Sequence, residues 1–407
     1  MRTTVRSTIF HGLTFTFAFL LAACGSSRES SSATDAGADA SLDDAAADQA
    51  ADAPMGPPAI PLSSCVPTVY TVQATIGTQQ FQLTLDTGST TLGVASTSCS
   101  TCTEATPKYK PGSTAVDEHS MAMSVYGSGE WTGEIYQDSV SLGSEASVPL
   151  KLVAIDSQAD FFGPIHCDSK SGGFQGILGL APAASALPGT NAFFDEVVAK
   201  QHVPNVFAIE LCDSGGTLWL GGYDETFATG APTYVPLSGF VSQLLYGVPL
   251  TSISVDGMSA PIASASFTDS IVDTGTSQFI IPTAALTTIS GAIAASPKFG
   301  EIFGSGVDAS FFASPTNCAP ISQTKAEIDA ALPPLTLVFG SASVQALPTE
   351  SYLVPYQGQW CNTLYAMDPS NNFPVAAILG SPVLRSNLII FDRAKKRIGF
   401  APHKPCM

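Results

Sequence analysis

The sequence predicts a mostly β protein with two similar lobes that face each other across a central cleft, and with few short helices. Turn-forming residues, 35 Gly and 29 Pro, are spread between short apolar runs along all 407 residues. A strand that ends in Asp-Thr-Gly occurs twice, at residues 81–88 and 270–275. A later Ile-Leu-Gly follows each copy, at 177–179 and 378–380. This repeated order indicates an internal duplication, and therefore two pseudo-symmetric β lobes.

Helical periodicity is confined to residues 191–200, 283–295 and 322–331. Asn191 provides a capping-type start for the first helix, and the two prolines at 333–334 would stop the last. The rest of the body is predicted as strands and turns.

Composition indicates a folded, acidic body. The hydrophobic fraction is 45% and the charged fraction 12%, which fits a packed core and not a disordered chain. The net charge of −18 argues against nucleic acid as a partner. We expect the folded body to be a monomer.

The N-terminus has the layout of a bacterial lipoprotein signal. Two arginines, at 2 and 6, precede an apolar run that ends in Leu-Ala-Ala-Cys24. An ordinary signal peptide and a membrane span are the alternatives, but the run is short for a span. We therefore expect a signal peptide at 1–23 and a lipid anchor on Cys24. Gly25 stands where Asp often retains lipoproteins at the inner membrane, so the outer membrane, on its periplasmic or cell-surface face, is preferred.

Residues 24–61 are expected to be an acidic tether. After Cys24 this segment is rich in Ala, Ser, Asp and Pro and has no aromatic residue and no Lys, so it cannot bury enough apolar surface to fold. The body then divides into a first lobe at 62–222 and a second lobe at 223–407.

Cysteines indicate disulfides. Of the nine Cys, eight remain once Cys24 carries lipid, an even number in an exported chain. Cys99 and Cys102 could form half a zinc site, a redox pair or a small loop disulfide. No second Cys-x-x-Cys and no His at metal spacing accompanies them, which favours the disulfide.

The paired motifs indicate hydrolysis. If Asp86 and Asp273 meet in the cleft, two carboxyls within about 3 Å cannot easily both ionise. One then serves as general base and the other as general acid for a water that attacks an amide carbonyl.

The residues after each aspartate suit this role, although β-propensity and turn chemistry alone could also place them there. The glycines permit close approach, the threonines can bond across the lobe interface, and the next hydroxyl can donate to the carboxylate. These supporting residues are Thr87, Gly88, Ser89, Thr274, Gly275 and Thr276.

A Gly-rich hairpin at 124–133 lies between the first Asp-Thr-Gly and its Ile-Leu-Gly. Alone it is an ordinary hairpin turn. After Asp-Thr-Gly it is expected to be a flap that closes over a substrate, with Tyr126, Gly127 and Ser128 at its tip. Ser277 is assigned to the same substrate-binding set.

The chain resembles the pepsin-like aspartic peptidases over residues 65–406. The resemblance rests on the motifs at 86–89, 126–129, 174–180 and 271–277 and on the C-terminal stretch 378–401. It implies a bilobal pepsin-like fold, Asp86 and Asp273 as catalytic pair, Tyr126 on the flap, a polypeptide substrate, and no cofactor or metal. Paired aspartates in that family are a known instance of a shared proton.

The end of the chain is similar to beta-secretase-type members, and the family implies how the cysteines pair. The implied bonds are Cys212–Cys406, Cys318–Cys361 and Cys99–Cys102, which leaves Cys65–Cys167 as the remaining pair.

Two positions depart from the family pattern. Gly93 stands where the family usually has a Trp that bonds the flap tyrosine, so this support of Tyr126 is expected to be missing. Ser381 stands where many acid-active members have Asp, which removes a carboxylate near the catalytic pair and leaves the pH optimum open.

The sequence therefore predicts an aspartic endopeptidase that cuts between bulky apolar residues of extended peptides. The alternative is a catalytically silent pepsin-like binding or inhibitor protein on the cell surface. A carbohydrate-binding β protein would fit composition and location, but it does not explain the paired motifs. Turnover of a peptide separates the first hypothesis from the other two.

Overall fold

Strands dominate the protein, which confirms the predicted mostly β fold. The computed structural model describes residues 56–162, 173–262, 269–370, 373–404 and 406. Their strands form four sheets, of which one is much larger than the others.

The large sheet has 13 strands in the order β11-β25-β24-β9-β10-β1-β2-β3-β8-β4-β7-β6-β5. Strands from the C-terminal end of the chain therefore pair with strands from its first half. Its members are β1 (Ile60–Val66), β2 (Val69–Ile76), β3 (Gln79–Asp86), β4 (Gly93–Ala95), β5 (Val116–Tyr126), β6 (Gly129–Leu142), β7 (Val148–Ala159), β8 (Gly176–Gly179), β9 (Val206–Cys212), β10 (Gly215–Leu220), β11 (Thr233–Pro236), β24 (Asn387–Asp392) and β25 (Arg397–Pro402).

The three smaller sheets are built from the second half of the chain. One has the order β12-β15-β23-β16-β22, the next β14-β13-β18-β19 and the last β17-β21-β20. Their strands are β12 (Gly247–Val248), β13 (Ser252–Val255), β14 (Met258–Pro261), β15 (Asp269–Asp273), β16 (Phe279–Ile281), β17 (Cys318–Ala319), β18 (Leu335–Phe339), β19 (Ala342–Ala346), β20 (Leu353–Tyr356), β21 (Gln359–Asn362), β22 (Leu364–Ala366) and β23 (Val375–Gly380).

The described helices are few and short. They are α1 (Phe193–Gln201), α2 (Thr283–Ala294), α3 (Phe299–Phe303), α4 (Lys325–Ala331) and α5 (Ser381–Leu384). Three of them lie where periodicity predicts helices, whereas α3 and α5 are too short to show a period.

The helix starts differ from expectation. Asn191 does not cap α1, because its side chain donates to Glu196 instead and Ala192 holds the cap position. The last predicted helix begins three residues later than expected, since Thr324 and Glu327 form a reciprocal capping box ahead of α4.

The predicted duplication appears as the same strand arrangement built twice. Strand β3 runs parallel to β8 with Asp86 opposite Gly179, and β15 runs parallel to β23 with Asp273 opposite Gly380. In each case a short strand, β4 or β16, pairs antiparallel on the other side of the Ile-Leu-Gly strand.

Aromatic packing joins the two halves of the chain. The rings of Phe207 and Phe391 stack with centroids 4.4 Å apart, and Tyr246 meets Phe391 at 4.7 Å. The buried Tyr246 hydroxyl donates to the carbonyl of Leu180, directly after the first Ile-Leu-Gly, at 2.6 Å. Residues beside both copies of the repeat therefore share one core.

The folded body starts earlier than expected. The tether was expected to reach residue 61, but β1 begins at Ile60, whose side chain is buried. The strand pairs with both β2 and β10, which fixes its position in the large sheet.

Three of the implied disulfides are present, Cys99–Cys102, Cys212–Cys406 and Cys318–Cys361. Cys167 lies outside the described residues, so Cys65–Cys167 remains a prediction. The signal, Cys24 and the tether up to residue 55 also lie outside them. Within the described part of the chain, each helix is too short or too polar to cross a bilayer.

Candidate active site

The structure brings the two aspartates of the repeat together. Asp86 is the last residue of β3 and Asp273 the last residue of β15. Both are nearly buried, with 4% and 9% of their surface exposed, and the glycine after each aspartate lies against the carboxyl of the other. Gly275 beside them is exposed, so the pair opens to solvent.

Each carboxylate is held in the same way by its own turn. The Gly88 N–H donates to Asp86 Oδ1 at 2.7 Å, and the Ser89 hydroxyl donates to Oδ2. The second half repeats this geometry, since the Gly275 N–H donates to Asp273 Oδ1 at 2.8 Å and the Thr276 hydroxyl to Oδ2 at 2.6 Å. The carboxyl planes are thereby fixed before any substrate arrives.

The two glycines allow the carboxyls to meet. A Cβ atom on Gly88 would lie 2.6 Å from Asp273 Cγ, and one on Gly275 would lie 2.7 Å from Asp86 Cγ. Real Cβ atoms do not approach other atoms so closely, so each glycine makes room for the carboxyl of the opposite half.

The threonines tie the halves together beneath the carboxyls. The Thr87 N–H donates to the Thr274 hydroxyl oxygen at 3.1 Å, and the Thr274 N–H donates to that of Thr87 at 3.0 Å. Each hydroxyl in turn donates to a carbonyl across the interface, that of Val272 or Leu85. All four bonds are buried, so losing a partner would leave an unsatisfied polar group.

The Ile-Leu-Gly motifs have a role that sequence reasoning did not identify. The chain after each aspartate crosses directly over the glycine of the motif. A Cβ on Gly179 would lie 2.6 Å from the Ser89 carbonyl oxygen, and one on Gly380 would lie 2.6 Å from that of Thr276. The chain just after each Ile-Leu-Gly motif donates a backbone N–H to the same carbonyl oxygen, that of Ser89 or Thr276. These bonds hold the loop after each aspartate in place.

The pair of carboxyls favours holding a proton. Burial first, and the neighbouring Asp273 carboxylate second, raise the pKa of Asp86 well above its usual range. The bonds from Ser89 and Gly88 act in the opposite direction but do not offset these two causes. Burial and the like charge of its neighbour therefore favour a protonated Asp86.

The expected flap is a hairpin of β5 and β6. Tyr126 pairs with Gly129, and the two-residue turn Gly127–Ser128 lies at the tip. The Tyr126 hydroxyl lies close to Ser89, which itself contacts Asp86. Burial and the charge of Asp86 raise the pKa of Tyr126 to about 12, so this phenol stays protonated in acid and neutral solution.

Support of Tyr126 comes from a residue that the sequence analysis did not identify, Trp131 on β6. Its ring occupies the space above Gly93, where a Cβ would lie 3.2 Å from the indole. The Trp131 ring centroid is 6.2 Å from that of Tyr126, and its buried N–H lies near the Tyr126 hydroxyl without an ordinary hydrogen bond. In the sequence, the small residue at 93 together with the large residue at 131 was the signal that could have indicated this contact.

Ser277 and Ser381 form hydrogen bonds with the backbone of the first half of the chain. Both hydroxyls donate to the carbonyl of Thr68 from the first half, at 3.4 Å and 2.7 Å respectively. Ser381 is buried, and the structure gives both serines a bond across the halves. Ser277 was assigned to the substrate-binding set, and its described contact is with this backbone carbonyl.

Comparisons with known proteins agree over most of the chain. The sequence model of the family described as "Eukaryotic aspartyl protease" matches residues 69–403. Pepsin-2B of Gadus morhua is 30% identical over 345 residues, 82% of this chain and 96% of that protein. Pepsin A of Sus scrofa is 29% identical over 356 residues, 84% of this chain and 83% of that protein. A beta-secretase of Strongylocentrotus purpuratus is 27% identical over 373 residues, 82% of this chain and 66% of that protein.

The close approach of the carboxyls can be tested with Gly275→Ala. The added methyl would force Asp86 and Asp273 apart, so we expect kcat/KM for a peptide substrate to fall by roughly 100-fold or more. Gly291→Ala is the matched control, because Gly291 is an exposed glycine of α2 with open space around its Cβ position. The control should keep full activity. Wild-type kcat/KM in Gly275→Ala would contradict the role given to the glycine.

Proposed function

This chain belongs to the eukaryotic aspartyl protease family, and from that membership we propose that Asp86 and Asp273 jointly activate one water molecule for peptide-bond hydrolysis. The protein is a pepsin-like aspartic endopeptidase, a hydrolase that acts on polypeptides. The observation that carries the assignment of residues is the contact between two carboxyls that are each held by a turn N–H and a hydroxyl.

The pair carries one proton when it is active. Its unprotonated carboxylate accepts a proton from the water while the water oxygen attacks the scissile carbonyl carbon. The other carboxyl donates its proton to the carbonyl oxygen, which gives a tetrahedral gem-diol without a covalent enzyme intermediate. When the C–N bond breaks, the protonated carboxyl donates its proton to the leaving nitrogen while the other carboxylate takes a proton from a gem-diol hydroxyl, which releases an amine and a carboxylic acid and leaves the pair with one proton.

Tyr126 of the flap packs against a nearly buried cluster of aromatic rings. Aromatic rings follow one another there: Tyr126 and Phe161 have centroids 5.1 Å apart, Phe161 and Phe162 4.9 Å, and Phe162 and Phe174 5.8 Å. A substrate side chain that contacts the partly exposed Tyr126 at the rim of this cluster gains most if it is large and apolar. We infer a preference for cleavage next to aromatic or large aliphatic residues of an extended peptide.

The mechanism predicts how activity depends on pH and on each aspartate. The raised pKa of Asp86 keeps one proton on the pair to a higher pH than an ordinary carboxyl would. Hydrolysis of a fluorogenic octapeptide should therefore persist through the acid range and decline as the pH rises through that pKa. Asp86→Asn and Asp273→Asn should each lower kcat/KM by roughly 1,000-fold or more, and a statine-type inhibitor should block the wild type.

Asp256→Asn is the control for these variants. Asp256 lies in an exposed turn with φ 49°, a conformation that Asn also tolerates, so its activity should not change. Full activity in either dyad variant would contradict the mechanism. A wild type that cleaves no peptide between about pH 3 and pH 7 would instead support a catalytically silent protein.

The raised pKa also predicts a stability difference. Folding holds a proton on Asp86 that the unfolded chain releases at lower pH, so its contribution is present in acid and is lost as the pH rises through the folded pKa. Asp86→Asn cannot ionise, so it does not lose this contribution to the free energy of unfolding at neutral pH. We expect its thermal midpoint to exceed that of the wild type by roughly 2–5 °C at pH 7 and by less at pH 3. An equal difference at both pH values would contradict the account.

We also propose that the protein is exported and anchored by lipid on Cys24, with 1–23 removed and the acidic segment that follows acting as a tether to a monomeric body. The three disulfides among the described residues support an oxidising compartment. Similarity of the C-terminal end to beta-secretase-type members belongs to the same proposal, and the Cys212–Cys406 bond that it implies supports it.

Cys24→Ser tests the anchor. Labelled palmitate should be incorporated into the wild type in cells, and the wild type should sediment with membranes. The serine variant should lose the label and appear in the soluble fraction, whereas Ser27→Ala, three residues later, should behave as the wild type. Membrane association of unlabelled Cys24→Ser would refute the lipid anchor.

A further inference from the structure

The outer face of the flap carries an exposed apolar stripe. Along β5, the side chains at 122, 124 and 126 are half-buried, while the alternate residues at 121, 123 and 125 are exposed. Met121, Met123 and Val125 expose 63%, 58% and 40% of their surface. These three neighbouring apolar side chains lie on one face of one strand and form an exposed hydrophobic patch.

This strand is also an edge without the usual protection. Strand β5 is the last strand of the large sheet, and within the described residues no other strand pairs with its outer side. Edge strands are normally protected by a charge, a proline or a bulge. Here the bulge lies before Met121, and residues 121–126 contain no charged residue, no Pro and no Gly. Six residues of flat strand are therefore open to a further strand.

Acidic groups flank the stripe on the same face. Glu130 and Glu134 of β6 lie opposite Val125 and Met121 in the strand register, and Asp156 of β7 accepts a bond from Thr132 between them. In the part of the chain that the structure describes, none of these three carboxylates has a Lys, Arg or His within salt-bridge distance. The face thus combines an apolar edge with unpaired negative charge.

A strand added to β5 would lie about 10 Å from β6, because strands in a sheet are about 4.8 Å apart. The aliphatic stem of a Lys or Arg can lie across Met121 or Met123 and bring its charged end to the carboxylates of β6. A second copy of this chain, with a net charge of −18, fits this face poorly, and so does an anionic membrane surface. Charge complementarity selects a cationic partner.

We propose that the outer edge of β5 is a second substrate-binding site, where an extended and cationic segment of the polypeptide substrate pairs with residues 121–125 outside the cleft. This inference rests on the proposed function. The bound segment adds a strand to the flap hairpin, whose opposite face carries Tyr126 and Trp131. Substrates long enough to reach both sites gain affinity from the second contact, whereas short peptides do not.

Binding is measured on Asp86→Asn, which leaves the probe uncleaved, before and after addition of a statine-type inhibitor that fills the cleft. The probe is a fluorescein-labelled octapeptide of alternating Lys and Val, and anisotropy reports its binding. We expect binding that weakens with added salt and that weakens by roughly five- to tenfold in Met123→Lys. Met258→Lys is the matched control, because Met258 is 54% exposed on another edge strand, β14, and this variant should bind as the parent does.

Several results would overturn the proposal. These are displacement of the probe by the inhibitor, equal binding of a Glu-Val octapeptide, and unchanged binding in Met123→Lys. A dimer of the chain that Met123→Lys dissociates, or binding to anionic vesicles that the variant abolishes, would assign the edge to another partner and would also overturn it.

Kinetics separate this site from the catalytic one. With reduced, unfolded lysozyme as a basic protein substrate, Met123→Lys should lower kcat/KM by roughly three- to tenfold while leaving an octapeptide substrate unaffected. An equal loss on both substrates would make the effect one of flap geometry and reject the second site. Probe binding at the edge of a protein that cleaves nothing would leave this site standing while the proposed hydrolysis fails.

Discussion

The structure depends on one unfavourable contact, the approach of two carboxyls contributed by distant halves of the chain. Two negative charges in close contact cannot easily coexist, so Asp86 and Asp273 meet only because the surrounding fold holds them together. The hydrogen bonds that hold Asp86 lower the free-energy cost of ionising it. Burial and the neighbouring carboxyl raise that cost by a larger amount. A proton shared by the pair relieves this conflict and is the reagent that hydrolysis needs.

Backbone geometry makes that contact possible, and it does so twice. Gly88 and Gly275 admit the opposite carboxyl, while Gly179 and Gly380 admit the chain that crosses above the Ile-Leu-Gly strands. The threonine bonds beneath link the halves, so the distance between the carboxyls is set by buried bonds and not by flexible loops. The sequence repeat therefore reflects the same steric requirement for glycine, which is met twice at the interface between the two halves.

Short-range features of the site were predictable from sequence, because turn chemistry and the order of the motifs are local. Longer-range features were not. Nothing local indicates that β24 and β25 would join strands of the first half, or that Ser277 and Ser381 would both bond Thr68. Trp131 was missed because its role depends on the space left by Gly93, a compensation that becomes visible only when the two positions are seen in contact.

The central claim is that Asp86 and Asp273 are electrostatically coupled, and carbon-13 NMR of labelled aspartate carboxyls tests it most directly. The account predicts that the Asp86 carboxyl titrates well above the usual range in the wild type. In Asp273→Asn its pKa should fall, yet stay raised, because burial is the larger cause and remains. An Asp86 carboxyl that titrates identically with and without its partner would contradict the account.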